Sequence, residues 1–386
     1  MWSSLSEQER SWQQKCRVFA TEVIAPLAPE YDRANAFPSR VHEAAYAAGL
    51  VNIALPEALG GGGASQRLIV VGGDELAAAC APTAFTMGFN HGALRPLVAF
   101  GTPHQHGIVR ELLATRQYAS ICMTEAGHSG SSLGELGTRA IKQGDRWSLS
   151  GNKCMIGNGC VSQLFVVLAN AYVEGENRGP TFFAVPKGPG VHVGENPDKL
   201  GFRCLTTPTI DFDGVEVPDE NRVGDIGGAE TILIDALDYM RFGGGAVILG
   251  LITGALRDAL SWVEQRRVFG GAPLSSKSHV QIQLGDIYGE LLCLRALILD
   301  VADRLDRRMR CSTETAVLKL RASRLAERAT SEVAQMFGWR GIHNDYTIQK
   351  RMRDARVTTL YEGTSEVQQL NLFGELRRAF HSTGSL

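Results

Sequence analysis

The sequence predicts a mainly α-helical protein with a central β-domain. Three observations carry this reading. Apolar residues recur at helical spacing up to about Tyr118. Between 119 and 223 the pattern changes to short β-rich runs separated by Gly, Pro and Asn. From about Gly227 long helical periodicity returns. The predicted regions are therefore 1–118, 119–223 and 224–386, and a chain of 386 residues suits two or three domains. At this size the core needs no disulfide staples.

Taken in order, Ser6 and Glu9 form a capping box, after which Trp12, Cys16, Phe19 and Val23 mark one helix face. Pro26 is expected to close that helix. A second helix is expected over 41–47, a flexible glycine loop at 60–63, and further helices near 68–79 and 106–114. In the middle region, 147–150, 164–169, 181–185, 191–193 and 209–212 read as strands of a small antiparallel sandwich or barrel. Gly188-Pro189-Gly190 and Asp213-Gly214 supply turns. The last region reads as long helices over 232–268, 279–308 and 314–337, with a shorter one after Ser365, joined as an antiparallel bundle.

Composition narrows the function classes. Lys and Arg total 39 against 41 Asp and Glu, for a net charge of −2. The basic runs at 304–310 and 321–328 are interleaved with acidic and apolar residues, so no nucleic-acid surface is expected. The longest apolar stretch, 242–256, is too short for a bilayer and reads as a buried helix, so no membrane association is expected. Eight scattered Cys make no C-x-x-C pair and have no His at zinc spacing; no metal site is expected. With a polar start over 1–10, they suggest reduced core thiols in a cytoplasmic protein.

The chemistry concentrates near the C-terminus. Arg353-Asp354-Ala355-Arg356 precedes Tyr361-Glu362-Gly363-Thr364-Ser365-Glu366-Val367-Gln368. Ser365 and Gln368 read as a capping box, which puts Glu362 in the turn before a helix, beside a Gly that lets a ligand approach the backbone. On these residues alone two readings stand. Glu362 is either a solvated turn carboxylate or, once dried by a ligand, a base toward a nearby C–H.

This segment resembles the signature of the acyl-CoA dehydrogenase family, in which the Glu of Y-E-G-T-S is the catalytic base. Other segments resemble the family in register. They include Ile24-Ala25-Pro26-Leu27, Leu55-Pro56-Glu57, Met123-Thr124-Glu125-Ala126-Gly127 with Gly130-Ser131-Ser132, and Gly151-Asn152-Lys153 through Asn158-Gly159. Arg266 through Phe269-Gly270, Leu284-Gly285-Asp286, and Gln335 through Gly338 continue the match. The resemblance implies an N-terminal helical domain, a middle β-domain and a C-terminal four-helix bundle. It also implies noncovalent FAD, an acyl-CoA or acyl-carrier-protein substrate, an electron-accepting flavoprotein or oxygen as oxidant, and a homo-oligomer, dimer or tetramer. The implied reaction is α,β-dehydrogenation, with Glu362 taking the α-proton and flavin N5 the β-hydride. Met123, Thr124, Gly130, Ser131, Met155 and Gly157 match positions along the flavin, and Thr364 and Glu366 lie beside it. Arg266 and Phe269 match a pair meeting a neighbouring subunit's cofactor, and Gln335 and Gly338 the adenine-side loop. Asp238, Arg241, Tyr361 and Gly363 match the substrate arm.

The sequence departs from the family pattern near the flavin. Met155 stands for a common Trp, Gly157 for a Thr or Ser, Ser132 for Asp, Trp339 for Gly and Ser278 for Gln. Gly157 would leave the flavin face more open. These departures motivate two alternatives: an oxygen-using oxidase or hydroxylase on the same scaffold, or a non-catalytic flavin-binding protein.

Overall fold

The computed structural model describes residues 2, 5–127 and 135–383. Helices α1 (Glu7–Phe19), α2 (Ala25–Ala34), α3 (Ser39–Ala47), α4 (Gln66–Ala93), α5 (Arg95–Phe100) and α6 (Pro103–Ala114) come first. The expected capping box at Ser6 and Glu9 is present. Pro26 does not stop the chain's first helix. A π turn at Ala20–Ile24 leads directly into α2, where Pro26 occupies the first turn and its missing N–H costs little. The 60–63 segment is not a loose loop either. Gly61, Gly62 and Gly63 donate to the carbonyls of Pro56, Asn52 and Leu55.

The expected helix at 68–79 is one leg of a longer element. At Cys80 the backbone is extended (φ −156°, ψ 106°), and a second leg continues through Pro82 to Ala93. Before the break Gly73 faces Ala246; after it Gly92 faces Met240, so both legs pack on one long helix, α7 (Ala229–Gln265). The contact is close: a Cβ on Gly250 would sit 2.5 Å from the Ala77 Cβ and 2.6 Å from the Asp74 carbonyl. Helices α8 (Ser278–Asp306), α9 (Ser312–Phe337), α10 (Thr347–Thr358) and α11 (Ser365–Thr383) complete the bundle, with α9 against α7, α8, α10 and α11.

Strands β1 (Tyr118–Cys122), β2 (Arg139–Gln143), β3 (Arg146–Lys153), β4 (Ser162–Val173), β5 (Glu176–Pro186), β6 (Val191–Val193), β7 (Ile210–Pro218) and β8 (Arg222–Val223) form one sheet. Its order is β6-β7-β3-β2-β4-β5-β8, with β1 also on β4. The expected antiparallel arrangement is only partly realised, because β1 and β2 both run parallel to β4. Twelve-residue β4 is long enough to take β1 along one half and β2 along the other. Its alternation sorts the core. Leu164, Val166 and Leu168 pack with Leu94, Leu97 and Ile232 of the helices, while Phe165, Val167 and Ala169 pack with Trp147, Phe183 and Phe212 inside the curled sheet.

A buried polar knot ties the helical regions. Asp74 on α4 accepts from Trp2 Nε1 (3.0 Å), Thr253 Oγ1 (2.6 Å) and Arg295 (2.7 Å). Removing the carboxylate strands a buried guanidinium, which costs about 3–5 kcal/mol. Asp74→Ala should therefore lower the urea midpoint by that equivalent; a midpoint within about 1 kcal/mol of wild type would show that the knot contributes no stability.

Candidate functional site

The site is assembled on the turn between α10 and α11. Glu362 has φ +56° and Gly363 φ +90°, both left-handed. Such a backbone is unfavourable for a Glu and persists only where its surroundings hold it. Three side chains do so through carbonyl oxygens. Arg241 Nε donates to the Glu362 carbonyl (3.3 Å), Lys319 Nζ to the Gly363 carbonyl (2.7 Å), and Gln368 Nε2 to both (3.1 Å each). The capping box expected on Ser365 does not form; Thr364, one residue earlier, caps the helix from one side. Thr364 Oγ1 accepts from Val367 N (3.4 Å), which frees Gln368 to reach back to the turn.

The Glu362 carboxylate itself makes no hydrogen bond or ion pair among the described residues, and its Oε2 is buried. It lies against α7 where Gly244 removes a side chain: a Cβ there would be 2.6 Å from Oε2. Burial pushes the Glu362 carboxyl up to about 8, against the opposing pull of Lys319 and Arg241. Burial pushes Lys319 down to about 8, with Glu362 opposing. Arg241, lowered by burial, is offset first by Asp238 at 3.5 Å. Asp238 is raised by burial and held by Ser312 and Thr315 (3.1 Å).

Beside the carboxylate is an apolar cavity of about 100 Å³. Its walls come from both legs of α4 (Gly72, Gly73, Phe85, Gly88, Phe89 and Gly92), from α7 (Met240, Gly243 and Val247) and from Trp12 of α1. Phe85 also meets Tyr361, with ring centroids 5.2 Å apart.

The other sequence-predicted residues fall into two groups. On the sheet side, Met123 is half-buried, Thr124 exposed, and Met155 exposed with φ +56°. Gly157 is buried, and the space a side chain would take there is occupied. The Phe89 ring fills the space, with two atoms 2.4 Å from where a Cβ would be. Phe89 therefore joins this face to the cavity at Glu362. The second group, Arg266, Phe269, Gln335 and Gly338, lies at the other end of α7, about 37 Å along the helix from Arg241. Arg266 donates to the Met336 carbonyl beside Gly338, has no carboxylate partner among the described residues, and Phe269 is 98% exposed. A guanidinium left unpaired beside a left-handed Gly fits an anionic phosphate group. Gly130 and Ser131 lie outside the described residues.

Sequence reasoning missed Lys319, Gln368, Phe85 and Phe89. Lys319 did carry a signal: a lone charge inside Val317-Leu318-Lys319-Leu320. It also missed Glu125, which anchors the Met123–Thr124 segment. Glu125 accepts from Gly137 N, Thr138 and buried Lys153 (2.8 Å).

Three family models match in chain order: the acyl-CoA dehydrogenase N-terminal domain over 6–142, the middle domain over 120–215 and the C-terminal domain over 228–375. The mouse mitochondrial short-chain specific acyl-CoA dehydrogenase is 32% identical, covering 98% of this chain and 92% of the relative. An acyl-CoA dehydrogenase of Bacillus subtilis is 30% identical over 95% of this chain and 97% of its own. The butyryl-CoA dehydrogenase structure from Megasphaera elsdenii superposes with a TM-score of 0.91 at 29% identity, covering 97% of this chain and all of that one.

Hydrogen bonds to Lys153, Thr138 and Gly137 hold Glu125, despite its burial, down to about 2. A depressed carboxylate contributes stability above its unfolded value, near 4.5, that is lost as pH falls through the folded one. The stability difference between wild type and Glu125→Gln should thus shrink as pH drops from about 4.5 toward 2; a pH-independent difference would contradict the assignment.

Proposed function

The chain belongs to the acyl-CoA dehydrogenase family, an oxidoreductase group acting on CH–CH bonds, and we propose that Glu362 is the base that takes the α-proton of an acyl thioester. One observation carries this: a half-buried Glu362 whose buried Oε2 has no hydrogen-bond partner among the described residues, held beside an apolar cavity. An α-proton next to a thioester is too weakly acidic for a hydrated carboxylate. Desolvation at Glu362 raises its proton affinity. The Glu362 N–H has no acceptor among the described residues and is left to donate to the thioester oxygen as negative charge develops there. The cavity walls exclude water and keep the α-carbon beside the carboxylate.

FAD, implied by family membership, would supply the oxidant that accepts the β-hydrogen as hydride. We assign its ring end to Met123, Thr124, Met155 and Gly157, with Thr364 and Glu366 flanking the base. Arg266, Phe269, Gln335 and Gly338 would meet the cofactor of a second copy. Exposed apolar residues support such a copy: Phe269, Trp339 and Ile342 near Arg266, and Leu370, Phe373 and Phe380 on α11. Coenzyme A is the carrier proposed, since the relatives named above are acyl-CoA enzymes, and an electron-transferring flavoprotein is the proposed acceptor. Phe89 filling the space beside Gly157, one of the two departures that motivate it, counts against the oxygen-using alternative.

Glu362→Gln should keep thioester and FAD binding and lose about 10²–10⁴-fold in kcat, the scale of a missing general base. Turnover within tenfold of wild type would remove Glu362 from the mechanism. Arg266→Ala should weaken FAD retention and subunit association together; unchanged FAD affinity would refute that contact.

A further inference from the structure

We propose that Lys319 is a positioning residue for the base: from α9 it holds the Glu362 turn by the Gly363 carbonyl and supplies the counter-charge for the Glu362 carboxylate. This rests on the reading of Glu362 as base.

A count of the charges at the turn leads to it. Lys319 is fully buried, yet no carboxylate lies within ion-pair distance of it among the described residues. Its ammonium has the Gly363 carbonyl at 2.7 Å and the Tyr361 ring at 5.9 Å. A buried ammonium held only by a carbonyl and a ring face is costly, and a neutral donor would tie the turn as well. The charges acting on it are Glu362 in the turn, Arg241 on α7 and Glu366 on α11. Arg241 is matched by its ion pair with Asp238. Glu366 is exposed in the first turn of α11, where water screens it. That leaves buried Lys319 and half-buried Glu362 as the uncompensated charges at the turn. The ammonium grips the neighbouring peptide and not the carboxylate oxygens, so it favours the ionised base without occupying the atoms that receive the proton.

The geometry separates this from a purely structural lysine. Lys319→Gln keeps a donor for the Gly363 carbonyl and removes the charge; Lys319→Arg keeps the charge. With the holoenzyme and butyryl-CoA as probe, the acid limb of the kcat/KM profile should move up by a pH unit or more in Lys319→Gln. Activity should then fall tenfold or more below the limb and recover at high pH. In Lys319→Arg the limb should stay within about half a unit of wild type. A second readout needs no turnover: the infrared band of the protonated Glu362 carboxyl, identified by its absence in Glu362→Gln, should persist to higher pH in Lys319→Gln. A pH-independent loss of activity with an unmoved band would overturn the proposal and leave only a structural tie. If Lys319→Gln does not fold, Asp238→Asn decides, since unpairing Arg241 adds positive charge and must move the limb down; an unmoved limb overturns the charge count. Full activity in Glu362→Gln would instead sink the base assignment itself, a separate result.

Discussion

Two cations and an amide grip the peptide carbonyls of the Glu362–Gly363 turn, and none of them touches the Glu362 carboxylate. This division of labour is the constraint on which the rest depends. A left-handed Glu is held from three helices, α7, α9 and α11, so the backbone cost is met by bonds that leave both carboxylate oxygens unclaimed. Were the same side chains paired with the carboxylate, the turn would be as stable and the group would be a poor base.

The remaining architecture delivers apolar walls to that oxygen pair. At Cys80 the chain breaks from the predicted 68–79 helix into a second leg; both legs lean on α7, and the cavity opens between them. Gly250 lets the first leg approach, and Gly244 lets the carboxylate lie on the α7 backbone. The sheet contributes through Phe89, whose ring covers Gly157 on one side and lines the cavity on the other. Helices, sheet and base are thus joined by a few aromatic contacts: Phe85 with Phe89, and Phe85 and Phe202 with Tyr361.

What could be read in the chain follows from which forces are local. Three textures were legible because period 3.6 and period 2 are properties of neighbouring residues. The second leg of α4 was not, since 81–93 is buried on nearly all sides and shows no clean stripe. Pro26 misled because the chain re-enters a helix just before it: after the π turn at Ala20–Ile24, Pro26 sits in the first turn of α2, where a missing N–H is tolerated. Read from its neighbours alone, Glu362 resembles a wet turn residue. Its dryness comes from Gly244, Phe85 and Lys319, residues distant in sequence, and only the family resemblance pointed past that. Lys319 itself sat in plain view as a charge within an apolar run, but its partner is a carbonyl forty-four positions away.

The central claim is that the carboxylate at 362 removes an α-hydrogen in a dry cavity, and the step can be isolated from oxidation. An acyl-CoA whose β-carbon bears no hydrogen cannot be dehydrogenated, yet its α-hydrogens remain exchangeable. Mass spectrometry of such a thioester incubated with the enzyme in D2O should show deuterium entering the α-carbon with wild type and not with the Gln variant at 362. Equal exchange in both proteins, or none in a wild type that still oxidises butyryl-CoA, would contradict the account.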